Sequence, residues 1–202
     1  MIVEPGTTRI GWIGLGVMGR SMCAHLVDAG FSATVYTRTQ ETADSVLAKG
    51  ATWADTPKAV AEQSDVMFTI VGFPTDVREV VLGPDGALAG CEAGNVLVDM
   101  TTSEPSLAVE IYEAAKAKGV ASVDAPVSGG PQGARDAALT MMVGGPSAAL
   151  ERVRPLLALL GPTVIHLGES GAGQTTKLCN QIAVSVNNMG MAEALMLAAA
   201  SD

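Results

Sequence analysis

The 202-residue sequence predicts an α/β fold, a doubly wound and mostly parallel sheet followed by one long C-terminal helix. Three observations carry this expectation. Short apolar runs alternate with segments whose apolar residues recur near every 3.6 positions. Glycines close several helical segments, at Gly30, Gly50 and Gly119. From Gln174 to Ala200 the chain has no proline and a single glycine, Gly190.

Taken in order, Arg9–Ile13 reads as a strand and Val17–Ala29 as a helix with one apolar face. Ala33–Tyr36, rich in β-branched and aromatic residues, is the next strand. Glu41–Lys49 and Pro57–Gln63 are helical. The continuous apolar run Val66–Val71 suits a strand covered on both faces. Val77–Leu82 is a short helix, Val96–Asp99 a strand, Pro105–Lys118 a helix and Val120–Asp124 a strand. Leu139–Val143 and Thr163–Leu167 read as further strands, with helix Ala148–Leu160 between them. The last segment, Gln174–Ala200, is a helix of about 40 Å at 1.5 Å per residue. Leu178, Ile182, Val186 and Met189 share one face, while Met191, Leu195, Met196 and Leu197 spread around it. A helix this apolar needs cover on most sides. That predicts a second subunit or a further domain against it.

Composition narrows the function classes. Hydrophobic residues make up 48% and charged residues 16%, which excludes intrinsic disorder. The net charge of −9, with no basic run, argues against a nucleic-acid partner. Polar breaks interrupt every apolar stretch of membrane-spanning length, so no membrane association is expected. Met1–Gly6 is too short and acidic for a signal peptide. Cys23, Cys91 and Cys179 are widely spaced, which predicts three reduced thiols in a cytoplasmic protein. With only two histidines and no CxxC pair, no metal site is expected; His25 and His166 read as structural.

Gly14-Leu15-Gly16-Val17-Met18-Gly19 fits GxGxxG after a strand and at the start of a helix. This is the dinucleotide-binding turn of a Rossmann-type sheet. Gly14 permits the tight turn, Gly16 leaves room for the pyrophosphate, and Gly19 lets helix and strand pack closely. An NAD site places an acid at the end of the second strand. Here Thr37-Arg38-Thr39 stands there, and Arg38 offers a planar cation to a 2′-phosphate. NADP(H) is therefore preferred, with NAD(H) as the second choice. Further cofactor contacts are expected from Val71 and Pro74.

A candidate catalytic face lies on the long helix. Gln174, Lys177, Gln181, Ser185 and Asn188 step by three or four and form a polar stripe, bordered by Asn180. The stripe should face a wet cleft, with Lys177 as its one proton carrier. Gly171 and Gly173 before it should allow close approach of cofactor or substrate. Cys179 should project into the core. Asp124-Ala125-Pro126-Val127-Ser128-Gly129-Gly130 follows a strand, at the end of the sheet where such folds bind ligands. Ser128 and the N–H groups of Gly129 and Gly130 could hold a carboxylate.

Four blocks, Gly14–Gly30, Asp99–Pro105, Asp124–Gly130 and Gly171–Gln181, resemble the β-hydroxyacid dehydrogenase family in the family's order. That family includes 3-hydroxyisobutyrate dehydrogenases, tartronate semialdehyde reductases and glyoxylate/succinic semialdehyde reductases. The resemblance implies cofactor contacts from the first block and Thr102 near the nicotinamide. It implies substrate-carboxylate binding by Ser128, Gly129 and Gly130, and catalysis by Lys177. Either Asn180 or Gln181 can supply the assisting amide. It also implies that residues 1–170 form the NADP-binding domain, and that 171–202 are an interdomain helix leading into an all-helical domain that builds a dimer. The expected activity is NADPH-dependent interconversion of a small aldehyde or keto acid and its hydroxyacid. The alternative is a cofactor-binding or oligomerising fragment that lacks turnover.

Overall fold

The computed structural model describes residues 3–201, so Met1, Ile2 and Asp202, which bound two of the segments above, lie outside the described residues. The sheet is built from β1 (Arg9–Ile13), β2 (Ser32–Tyr36), β3 (Thr52–Trp53), β4 (Val66–Thr69), β5 (Val96–Asp99), β6 (Ala121–Asp124), β7 (Val127–Ser128), β8 (Thr140–Gly144) and β9 (Thr163–Gly168). Its order is β3-β2-β1-β4-β5-β6-β8-β7, with β9 also paired to β8. β1 to β6 are parallel wherever they pair with one another, whereas β8 runs antiparallel to β6. The chain leaves β1 first toward β2 and later toward β4. The reversal opens a crevice at their carboxyl ends, the place where such sheets bind ligands.

The helices are α1 (Gly19–Asp28), α2 (Asp44–Leu47, entered through a 3-10 turn Gln40–Ala43), α3 (Pro57–Ala61), α4 (Pro74–Leu82) and α5 (Ala87–Gly90). They continue with α6 (Pro105–Ala117), α7 (Gly130–Arg135), α8 (Ser147–Ala158) and α9 (Ala172–Ala200). Two cores form because strand side chains alternate between faces. Ile10, Trp12, Phe68, Val96 and Val98 join Met22 and Leu26 on one side. Ile13, Met67 and Leu97 join Val77, Leu107 and Ile111 on the other. Trp12 and Phe68 stack across β1 and β4 with ring centroids 5.2 Å apart.

The structure departs from the sequence reading at short elements. β3, α5, β7 and α7 span two to six residues, too few for a period to show. The Glu41–Lys49 helix is broken into a 3-10 turn and one α turn. The larger corrections concern α9, of which only Gly173, Gln174 and Lys177 are buried. Beyond Lys177 the helix leaves the sheet. Cys179, expected in the core, is exposed. Leu178, Ile182, Met189 and Met196 are exposed too, in line with the expectation that the sheet domain cannot cover this helix. By length and composition alone α9 could cross a bilayer. Gln181, Ser185 and Asn188 are polar breaks that interrupt this length.

Candidate dinucleotide and lysine site

The glycine turn runs from the end of β1 into α1. Gly14 takes φ +95°, and a Cβ there would collide with the Ile70 carbonyl oxygen. A Cβ on Gly19 would collide with the Gly14 carbonyl. Gly16 differs, since a Cβ there would meet no atom within 4 Å. Two of the three glycines are thus required by the protein's own packing, and the third keeps a surface clear. The Gly14 N–H donates to the Tyr36 carbonyl at 2.8 Å, which ties the turn to β2.

That surface borders a cavity of about 370 Å³ at the β1–β4 crevice. Gly14, Gly16, Val17, Met18, Gly19, Thr37, Arg38, Thr39 and Val71 line it. Leu15 lies in the core with no exposed side chain, so only its backbone can face a ligand. Pro74, the first residue of α4, is half-buried and outside the lining; exposed Thr102 is also outside it. The pocket adds two acids that the sequence reading missed, Asp76 and Glu79 of α4. Arg38 Nη1 sits 3.2 Å from Asp76 Oδ1. No local signal could reveal this pair, which joins residues 38 apart across the crevice.

A second cluster occupies the carboxyl ends of β4, β5 and β6. Asp99 and Asp124 stand side by side in the parallel register of β5 and β6. Asp99 accepts from Thr69 Oγ1 at 2.8 Å and from the Thr101 N–H at 3.1 Å. Burial pushes its carboxyl up to about 6. Asp124 is also raised by burial, although the Gly171 and Gln174 N–H groups oppose the shift. Those N–H groups open α9 and donate to Asp124 Oδ1 and Oδ2 at 2.8 and 2.9 Å.

Gln174, expected on a wet stripe, is fully buried. Its Oε1 accepts from the Ser103 N–H at 2.8 Å, and its Nε2 donates to the Thr101 carbonyl at 2.7 Å. Gly171 and Gly173 also serve the protein rather than a ligand. A Cβ on Gly173 would lie 2.8 Å from Asp124 Oδ2, and one on Gly171 would lie 3.0 Å from the Pro105 carbonyl. The stripe therefore divides, because the first turn of α9 is drawn onto the sheet while the rest projects outward.

Lys177 follows Gln174 by three residues on the same face and is 7% exposed. It has no ion pair among the described residues. Desolvation lowers its pKa from the ordinary lysine range. Asn180 is half-buried, and its Oδ1 is buried without a hydrogen-bond partner among the described residues, as is the Ser103 hydroxyl. Gln181, Ser185 and Asn188 are exposed. Ser128 ends β7 half-buried, and Gly129 and Gly130 follow it, exposed, with φ +132° and +61°. His25 and His166 contact the carbonyls of Ala134 and Gly145 at 2.9 and 2.8 Å, structural uses for both rings. Among the described residues no group of three His, Cys, Asp or Glu side chains could hold a metal.

The NAD binding domain of 6-phosphogluconate dehydrogenase matches residues 9–168. The chain belongs to this family. It is 53% identical over 198 residues to the probable 3-hydroxyisobutyrate dehydrogenase-like 1, mitochondrial, of Arabidopsis thaliana, covering 98% of this chain and 59% of that relative. Among solved structures it matches the Mycobacterium tuberculosis 3-hydroxyisobutyrate dehydrogenase with L-serine, with TM-score 0.87 and 34% identity over 98% of this chain and 65% of that one. It also matches Psf3 in complex with NADP+ and 2-OPP, with TM-score 0.88 and 34% identity over 92% of this chain and 66% of that one. The chain spans about three fifths to two thirds of the length of the curated relatives it matches. Its Rossmann-type sheet and long final helix agree with these neighbours.

Proposed function

We propose that this chain forms the dinucleotide-binding and lysine-bearing part of an NADPH-dependent oxidoreductase. The reaction interconverts a small aldehyde or keto acid and its hydroxyacid. The observation that carries this reading is Lys177, a buried lysine without an acidic partner among the described residues, on a helix fastened to the carboxyl end of β6, at the same end of the sheet as the glycine turn. The open space above Gly16 and the cavity lined by Thr37, Arg38 and Thr39 fit a dinucleotide. A 3-hydroxyisobutyrate dehydrogenase among the matching structures supports the substrate class.

A bound nicotinamide dinucleotide supplies or accepts the hydride. The backbone around Gly14, Gly16 and Gly19, with Leu15, Val17 and Met18, holds the phosphates. Arg38, flanked by Thr37 and Thr39, favours NADP(H), and NAD(H) binds more weakly. Val71 and Pro74 add cofactor contacts, and Thr102 stands on the nicotinamide side. Ser128, Gly129 and Gly130 hold the substrate carboxylate. Lys177 gives a proton to the carbonyl oxygen in reduction and takes it back in oxidation. A lowered pKa suits both directions. Asn180, with its buried unpartnered Oδ1, is favoured over exposed Gln181 as the assisting amide.

A second reading rests on one feature, the exposure of the large apolar residues of α9 from Leu178 onward. The chain by itself could bind the cofactor and associate without turnover. An apolar surface of this size favours a homodimer or higher homo-oligomer. Three free thiols suit a reducing compartment, and we assign the cytoplasm on that ground.

Titration with NADPH and NADH, followed by cofactor oxidation with small aldehydes and keto acids, tests both readings. Binding with turnover that is lost in Lys177→Ala supports the enzyme. Binding without turnover, and light scattering above monomer mass, favours the module. Failure to bind either cofactor overturns both.

A further inference from the structure

Asp124 and Gln174 form a joint among three segments that are far apart in sequence. Asp124 closes β6 and accepts the two N–H groups that open α9. Gly144 and Gly173 give its carboxylate the space, since a Cβ on either would lie 2.6 or 2.8 Å from its oxygens. Gln174 then grips the chain on both sides of Thr102. Its amide accepts at Ser103 and donates at Thr101, like a neighbouring strand. Thr101 continues the network, because its Oγ1 accepts the Val71 N–H at 3.0 Å. One path of hydrogen bonds therefore runs from Val71, just after β4 and in the lining of the dinucleotide cavity, through the loop that presents Thr102, to the start of α9, one turn before Lys177.

A helix start needs acceptors for its free N–H groups, but water or a single serine could supply them. A buried carboxylate and a buried amide cost desolvation. We propose that Asp124 and Gln174 are positioning residues, which hold the Lys177 amine at a set distance from the Thr102 loop so that the two halves of the site act as one unit. The catalytic purpose of this joint rests on the reading of Lys177 as the proton carrier; the joint itself does not.

Amide hydrogen exchange and lysine 13C NMR on the full chain test it, with Gln174→Met and Asp124→Asn compared against the parent. Gln174→Met keeps the side-chain volume and removes both bonds. It should speed exchange at Ser103 about tenfold or more. It should also move the Lys177 titration toward that of the exposed lysines, while NADPH affinity at the glycine turn changes less than about threefold. Asp124→Asn keeps one acceptor and should speed exchange at Gly171 or Gln174, with the same displacement of the Lys177 titration. Unchanged exchange at Ser103 and an unchanged Lys177 titration in Gln174→Met would overturn the proposal. If one variant fails to fold, the same two readouts on the other decide. Lys177→Met with retained turnover would overturn the proton-carrier reading and the purpose of the joint, whereas the exchange data judge the joint alone.

Discussion

Arg38 reaches Asp76 across the crevice, Nη1 to Oδ1 at 3.2 Å, so the cation that should meet a 2′-phosphate is already shared with an acid. The pair is weak, because the Arg38 side chain is 74% exposed and water screens it. A phosphate with two negative charges should displace Asp76, but its neighbouring carboxylate subtracts from the attraction. Asp76 also accepts the Phe73 N–H at 3.0 Å, a role that an asparagine can keep. Asp76→Asn should therefore tighten NADPH severalfold and leave NADH nearly unchanged. Arg38→Ala should weaken NADPH by about one to two decades, the range of a charge-assisted pair of roughly 1.5–3 kcal/mol. Fluorescence titration of both cofactors checks this; equal losses for NADH and NADPH would count against the phosphate role.

Gly16 separates folding from binding. A methyl group there meets no protein atom within 4 Å, and the residue does not need a positive φ. Gly16→Ala should leave the unfolding midpoint within about 2 °C and weaken both cofactors by tenfold or more, since only a close-lying pyrophosphate would feel it. Gly14→Ala should instead destabilise the fold, because its φ is +95° and the Ile70 carbonyl fills the space. Thermal melts beside binding curves separate the two effects.

Lys177 sets the pH dependence of turnover. Burial holds its pKa below the ordinary lysine range. Reduction needs the protonated amine, so its rate should fall as pH rises through that lowered value. Oxidation needs the neutral amine and should rise through the same value. Lys177→Ala should remove this limb and cost about 10²–10⁴-fold in rate, with cofactor affinity nearly intact. Steady-state profiles in both directions provide the measurement, and a limb that survives Lys177→Ala would assign it to another group.

Asp99 links stability to pH with an unusual sign. Its folded carboxyl is pushed up to about 6, above the unfolded value, so the folded state binds the proton more tightly. Its contribution favours folding at low pH and is lost as pH rises from about 4 to about 6. The full shift corresponds to about 3 kcal/mol at most. Asparagine can still accept from Thr69 and Thr101 without carrying a charge. The stability of Asp99→Asn relative to the parent should rise across that window and stay level above it. Urea unfolding at several pH values tests this. Asp124 acts with the same sign and leaves a residual slope in the variant.

Much of this architecture was legible because its signals are local. Strands β1, β2, β4, β5 and β6, the glycine turn and the helices of nine or more residues carry their period or their glycines within a short window, and the observed elements match them within a few residues. The absence of an acid after β2 was legible in the same way. Asp76 was not, because its meeting with Arg38 depends on how α4 docks across the crevice. The placing of Gln174 on a wet α9 stripe failed for a related reason. Period told which residues share a face, but not where along the helix that face leaves the protein.

By itself the sequence determined the order of the longer strands and helices, the turn that faces the crevice, and the lysine singled out on an otherwise apolar helix. Each follows from neighbours in the chain: side-chain alternation, helical spacing, and glycine's freedom from a Cβ. Only the tertiary structure decided that Gln174 and Asp124 face inward as a joint, that Gly171 and Gly173 make room for the protein's own backbone and carboxylate, and that Cys179 lies outside the core. These depend on contacts between segments dozens of residues apart, such as Gln174 with Thr101 and Asp124 with Gly171. A buried polar group must find its partner in space, and only the packed sheet determines which partner lies within reach.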